Sequence, residues 1–447
     1  MAPYQYELPT TGAISFTDIC IDGTGSYTVA LVEATTARAN LRSILKEHKH
    51  GAGEKDYLRI IKTADGYLPH IYSIIACVTA GELSLRNSPV FSWRSTLSSR
   101  GFATPSSRTD VPSLYADLAF TLLTLAYAYS NLSSVTLAAI GQYELERTIS
   151  DAERKAKDEK LNFAANLLAR ASGVYEHLSE KVLPEWDKAI GATKTERPPE
   201  LAKVVVTALA KMAVADANQL AIRKLMTRSA YDSTLTPGPP LPKSHPPTSL
   251  LGKLYINAST LYTSALSLVN AASPTSNDSK EVNTNLRHYL SDESTFCSAM
   301  SHRWFGVDAG EAPGRCGEGV AFLAWSKSEL ESLKESKLKL AVGGKANKEE
   351  KAAKKDRLAD ELDSTKVFLK YYQKMNDSVH FCPVPSNAEI RGKVPEGRSA
   401  IQSKAYEPPM PSFGPTSEEG LRQQAEAISL SEVNHQDPDA SGDGGAD

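Results

Sequence analysis

The chain has 447 residues, of which 41% are hydrophobic and 23% charged, the balance of a soluble globular protein with a sizeable core. Its 50 Lys and Arg against 53 Asp and Glu give a formal net charge of -3, so a dedicated nucleic-acid binder, which needs a basic excess, is not expected. The five cysteines (Cys20, Cys77, Cys297, Cys316, Cys382) are widely spaced and form no CxxC pair, which argues against a disulfide framework or zinc knuckle and for a reducing compartment.

The N-terminus, MAPYQYELPTTGA, has no basic segment followed by an apolar run, so no signal peptide is expected. Residues 1–30 alternate around Thr, Gly and Pro, which predicts one or two minor strands. From Ala34 the period becomes helical, with Ala37, Leu41, Ile44 and Leu45 on one face. The next helical segment, DYLRIIKTADGYLPHIYSIIACVTAGEL, carries Gly66 and Pro69, read as a break. NSPVFSWRSTLSSRGFATPSSRTDVP is irregular and reads as a connection.

Long helices follow over residues 113–131, continuing through 135–150, and then from a charged start at Asp151. The apolar run 118–129 is about a dozen residues, short of the roughly 20 that span a bilayer, and is expected to be a buried helix of a cytoplasmic protein. After Pro198 and Pro199 comes a helix over 201–229, then the rigid loop TPGPPLPKSHPPT and the helix SLLGKLYINASTLYTSALSLVNAA. Another helix covers 280–305, and GVDAGEAPGRCGEG reads as a Gly-rich break. Residues 318–340 and 348–375, separated by Gly343 and Gly344, predict an antiparallel hairpin. Residues 383–412 are proline-rich and extended, read as a strap along the body, while 413–447 are polar and acidic and expected to be a disordered tail. No fixed-period repeat is present, so the predicted fold is mainly α, stacked antiparallel helices with variable loops, over residues 1–412.

Few residues suggest chemistry. Cys297 and Arg303 have the Cys-x5-Arg spacing of cysteine phosphatases, but no glycine lies between them to let backbone N–H groups wrap a phosphate. The segment reads as continuous helix with a buried cysteine, and catalysis is rejected. The nine histidines give no HExxH and no His-x3-His pair, and Gly310, Gly314, Gly317 and Gly319 make no GxGxxG, so no metal or cofactor is expected. Residues 334–357 hold nine Lys or Arg against four Asp or Glu. They read first as a solvated hairpin tip, with Lys345, Lys348, Lys351, Lys354 and Lys355 the candidates for contact with an anionic membrane. The helix after Ser249 has two apolar stripes: Leu250, Leu254, Leu261, Ala265, Leu268 and Leu251, Tyr255, Tyr262, Leu266, Val269. Such a helix is buried on two sides or keeps one side for a partner, and its own pattern does not choose.

The order of segments resembles the BRO domain. The resemblance is carried by LPTTG followed by TARANLRSILKEHK, by a helix followed by FSW, by AANLLARASGVYEHLSEKVLP, by GVDAGEAPGRCGEGVAFLAWSKSEL, and by NDSVHFCPVPSNAEI with YEPPMPSF, together spanning most of residues 5–410. It implies a curved, boomerang-shaped antiparallel helical array with a tetratricopeptide-like core and a small N-terminal β element. It also implies a non-enzymatic adaptor whose concave face takes the C-terminal amphipathic helix of an ESCRT-III filament subunit. By that resemblance the partner-binding residues are Leu250 and Leu254, with Leu220 or Ile222 on the preceding helix, where relatives often carry an aromatic residue and this chain has Ala217 to Ile222. The chain's short layout is like that of members acting in fungal ambient alkaline-pH signalling, which implies a pH-sensing membrane complex as a second partner and peripheral recruitment to plasma membrane or endosomes. The alternative reading is a membrane-surface helical scaffold in endosomal sorting that uses the basic hairpin.

Overall fold

The computed structural model describes residues 3–50, 55–98, 108–191, 197–235, 238–272, 281–340 and 348–435. The elements run α1 (Phe16–Ile19), β1 (Cys20–Asp22), α2 (Thr28–His50), α3 (Tyr57–Ala80), β2 (Leu83–Leu85), β3 (Val90–Arg94), β4 (Arg108–Pro112), α4 (Leu114–Ile140) and α5 (Asp151–His177). Then come α6 (Leu183–Ile190), α7 (Lys203–Leu235), α8 (Thr248–Ala271), α9 (Thr284–Glu311), α10 (Cys316–Leu340), α11 (Lys348–Met375), α12 (Asn387–Arg391) and α13 (Glu418–His435). Each long helix packs on the next, α2 on α3, α3 on α4, α4 on α5, α5 on α7, and so on to α11. The helices are placed by local chemistry as well as by burial. Ser150 and Glu153 form a reciprocal capping box that starts α5, and α3 opens on Asp56, which accepts the Arg59 N–H at 2.9 Å, and closes on left-handed Gly81.

Four sequence expectations change. Gly66 and Pro69 do not break α3: Tyr67, Leu68, Ile71 and Ile74 are buried, and their packing outweighs the roughly 3 kcal/mol an internal proline costs. The supposed connection after residue 87 contains an antiparallel pair, with Phe91 opposite Val111 and Trp93 opposite Thr109. The glycine-rich run is mostly helix end, because α9 extends to Glu311 and α10 starts at Cys316. Gly319 sits there because a Cβ would lie 2.8 Å from the Gly306 carbonyl and the Gly310 amide, so the glycines set how closely α9 and α10 approach. The tail is structured well past residue 412. Phe413 packs on Tyr27 at 5.6 Å, its N–H donates to the Ser73 hydroxyl at 3.0 Å, and Ser417 caps α13 by accepting the Gly420 N–H. Residues 436–447 of the expected tail lie outside the described residues.

The N-terminal half is tied by one buried ion pair. Arg38, 2% exposed, donates from Nε and Nη2 to the two Asp117 oxygens at 2.9 and 2.8 Å. The same carboxylate accepts the Tyr67 hydroxyl at 2.5 Å and the Trp93 indole N–H at 2.8 Å. Residual Arg38 donors reach the Gly12 carbonyl and the Thr11 hydroxyl, so five segments share one satisfied polar node. Trp93, the tryptophan of the FSW segment, stacks on Phe120 at 5.2 Å.

The α7–α8 face as a candidate docking site

Residues 383–413 run back across the helices, as the strap reading expected. Ile390 and Val394 pack with Phe305, Phe322, Trp325 and Ile256, joining the strap to α8, α9 and α10. The Arg398 N–H then donates to the Lys253 carbonyl of α8 at 2.9 Å, and Gly397 lies so close that a Cβ there would be 2.8 Å from the Asn257 Cα. On α7, Asn218 receives the Ala400 and Ile401 N–H groups at 2.7 and 3.1 Å and donates to the Ile401 carbonyl at 2.9 Å. Over α5, the Lys404 N–H bonds the Ala169 carbonyl at 3.0 Å, and a Cβ on Gly173 would sit 1.8 Å from the Lys404 oxygen. The crossing ends on α3 at Ser73 and Cys77.

Three of the four expected partner-binding residues are sealed in the array. Leu254 and Leu220 are each 2% exposed and Ile222 is 1% exposed. Leu254 points into the main core, while Leu220 packs in a second cluster with Leu137, Ile140, Tyr143 and Leu161. Their positions correct the expectation: the apolar stripes of α8 are both spent largely on neighbouring helices, so these three side chains cannot meet a partner in this conformation. Leu250 differs. It is half-buried, packed at the edge of the core.

The accessible neighbour on α7 is Leu225, 41% exposed. Lys211, Val214, Asn218, Ala221, Leu225 and Arg228 follow helical spacing on one side of α7; Asn218 lies under the strap and the others remain at least partly accessible. On α8 the same spacing puts Leu250, Lys253 and Asn257 on the strap side. Tyr262 bonds Asp216 and Gln219 across the antiparallel pair, which sets Leu225 and Arg228 level with the first turns of α8. One face of the array therefore presents Leu225 and Leu250 beside the strap. The same elements carry Lys224, Arg228, Lys253 and Arg398, all exposed and with no ion-pair partner among the described residues, against Glu396 of the strap. No acidic residue occurs on α8 at all. Leu225 was missed because it falls three residues beyond Ile222, outside the window the resemblance pointed to. Asn218 carried the available signal, since a polar amide inside an Ala- and Leu-rich helix needs a partner.

The remaining candidates resolve differently. Lys345 lies outside the described residues, as do the side chains of Lys348, Lys351 and Lys354, whereas Lys355 is exposed on α11. Cys297 is fully buried, and burial followed by Glu293 pushes its thiol well above the usual range, the reverse of an activated nucleophile. Among the described residues no group of three or more His, Cys, Asp and Glu is placed to hold a metal ion. Helix α7 is long and apolar enough to cross a membrane by composition, but 78% of its apolar window is buried inside the array, as befits a core helix.

Comparison with known proteins agrees with this architecture. The chain is 32% identical over 461 aligned residues to the pH-response regulator protein palC of Cryptococcus neoformans var. neoformans serotype D (strain B-3501A), covering 93% of this chain and 94% of that one. It is 23% identical over 232 residues to palC of Yarrowia lipolytica (strain CLIB 122 / E 150), covering 51% and 47%. Its fold is similar to ALIX in complex with the SIVmac239 PYKEVTEDL late domain, with a TM-score of 0.61, 15% identity and 97% of this chain matched to 54% of that chain, so it spans about half of ALIX. It also matches the ALIX BRO1 domain solved with CHMP4C, with a TM-score of 0.59, 15% identity, and 94% and 100% coverage. The architecture is thus the helical boomerang of the ALIX BRO1 domain. With the BRO1-like domain model matching residues 83–418, the chain belongs to the BRO1-like domain family.

Proposed function

We propose that this chain is a non-enzymatic adaptor in ambient-pH signalling that receives an amphipathic helix of an ESCRT-III subunit on the α7–α8 face and links it to a pH-sensing complex at the membrane. The observation that carries the reading is the pair Leu225 and Leu250, accessible beside the strap on elements that also expose Lys224, Arg228, Lys253 and Arg398. A helix with an apolar stripe and acidic flanks matches that surface in both shape class and charge. Similarity to palC along 93% of the chain supports the pathway, and the ALIX BRO1 domain in complex with CHMP4C supports the class of partner. The same reading makes the protein cytoplasmic and peripherally recruited.

The test is binding of a labelled C-terminal helix peptide of an ESCRT-III subunit, followed by fluorescence anisotropy. Leu250→Asp and Leu225→Asp each place a charge against an apolar partner surface, and each is expected to weaken binding by at least about tenfold; Leu225→Asp should leave the melting temperature unchanged, and the half-buried Leu250→Asp should lower it modestly while the protein stays folded. Leu254→Asp is expected to lose folded stability instead. Unchanged binding by both surface variants would remove the site.

A further inference from the structure

The tail helix α13 has the complementary chemistry. Its eighteen residues begin at the Ser417 cap, and Leu421 and Ile428 are 47% and 60% exposed. Seven residues apart, with Ala425 between them, these two side chains share one face of the helix. Glu418, Glu419, Glu426 and Glu432 lie along the same helix, and its lone arginine, Arg422, pairs with Glu419 and Glu426 at 3.7 and 3.5 Å. Residues 436–447 add Asp437, Asp439, Asp443 and Asp447. An exposed acidic helix with an apolar stripe and an exposed basic face with two leucines thus occur in one chain.

We infer that α13 of one copy docks on the α7–α8 face of a second copy, so that self-association covers the surface proposed above for the partner helix. The inference rests on that surface being a helix-docking site. Geometry excludes the copy's own face. Ser417 is held against α3 through Phe413 and Gly414, while α4 and α5 intervene between α3 and α7. Three helix-to-helix steps of about 8–10 Å put α7 roughly 25–30 Å from the anchor, and α8 a further step away. At 1.5 Å rise per residue Leu421 and Ile428 lie only about 6 and 17 Å from the cap. The tail stops short of its own site.

Charge sets the sign and the salt response. Helix α13 carries four acidic residues and one arginine, and it meets four cations that hold no ion-pair partner among the described residues. Screening at high ionic strength should therefore loosen the contact. Because each copy offers one tail and one face, the exchange closes as a pair with two such contacts.

The experiment uses the full chain and a labelled synthetic peptide of residues 416–435. The peptide is expected to bind the parent, and to bind Leu225→Asp and Leu250→Asp at least tenfold more weakly. Sedimentation velocity over a concentration series should show a dimer that is lost in the Leu421→Asp/Ile428→Asp double variant and in Leu225→Asp. The double variant should also bind an ESCRT-III helix peptide more tightly than the parent, by a factor that grows with protein concentration. A parent that stays monomeric throughout, a tail peptide that binds Leu225→Asp as well as the parent, or a dimer that survives the double variant overturns the inference. The two readings separate cleanly. A tail peptide that binds while the ESCRT-III peptide does not leaves self-docking standing and removes the proposed partner; the opposite result does the reverse.

Discussion

Removing the Asp117 carboxylate should be among the most damaging single changes outside the helix cores. Asp117 is fully buried and accepts four hydrogen bonds, two from Arg38 and one each from Tyr67 and Trp93. Burial alone would depress the Arg38 basicity, yet its charge contacts with Asp117 and Tyr67 hold it above its ordinary value, so the guanidinium stays charged inside the protein. Asp117→Ala leaves that charge unpaired at a site 2% exposed. Breaking a buried pair from one side costs about 3–5 kcal/mol. With an unfolding entropy of about 2.1 cal/mol/K per residue, the whole chain carries on the order of 0.9 kcal/mol/K, so the melting temperature should fall by about 3–5 °C. The assay is thermal and urea unfolding followed by far-UV circular dichroism. The paired variant Arg38→Met/Asp117→Leu removes both charges at once and should recover most of the loss, because a buried ion pair replaced by apolar groups is often close to neutral. If Asp117→Ala lies within about 1 kcal/mol of the parent, or the double variant is no better than the single, the node is not what ties the N-terminal segments together.

Other perturbations address separate parts of the molecule. Glu200 is 1% exposed and accepts the Thr96 N–H at 3.0 Å; burial raises its carboxyl above the usual range, with bonds from Ser95, Thr96 and Leu97 opposing. A carboxyl raised on folding binds more protons folded than unfolded, so it costs stability as pH rises from the ordinary glutamate range through the folded value. Glu200→Gln should cancel that fall, read as a difference between parent and variant unfolding curves that grows with pH across this window. Gly173→Ala puts a methyl where the Lys404 carbonyl lies, and should cost about 1–3 kcal/mol while opening residues 393–412 to limited proteolysis. Asn218→Ala removes four strap hydrogen bonds and should raise amide exchange at Ala400 and Ile401 with little effect near Asp117.

Much of the fold was legible because local signals and burial agreed. The hairpin helix at 348–375 matches the observed α11, whose Leu358, Leu362, Leu369 and Tyr372 make the periodic core face that the spacing announces. The charged start at Asp151 likewise matches the observed first residue of α5, a boundary that the capping box at Ser150 and Glu153 fixes. Pairing was legible only where both partners advertised it. β3 and β4 alternate over too few apolar positions, Phe91, Trp93 and Val111, to distinguish strand from loop, and their pairing is fixed by Trp93 entering the core beneath Phe120. Pro69 was overvalued for the matching reason: its cost is local, and the burial that outweighs it is not.

The candidate site shows where periodicity stops being informative. Spacing fixes which residues of a helix share a side, so Leu250 and Leu254 can be grouped from the letters alone. It does not fix the rotation of that helix among its neighbours, and one turn separates a half-buried Leu250 from a sealed Leu254. Rotation is set by long-range contacts: Gly252 lies where a Cβ would strike Phe305, Tyr262 reaches Asp216, and the strap crosses at Lys253 and Asn257. None of these is a property of the α8 sequence. The strap contact is the most consequential, because a chain segment some 140 residues away settles which side of α8 is covered and leaves Leu225 and Leu250 at its margin. Weakening that crossing should therefore alter the docking face as well as stability, and Asn218→Ala, at a side chain that bonds the strap backbone and neither leucine, should change partner affinity through the strap.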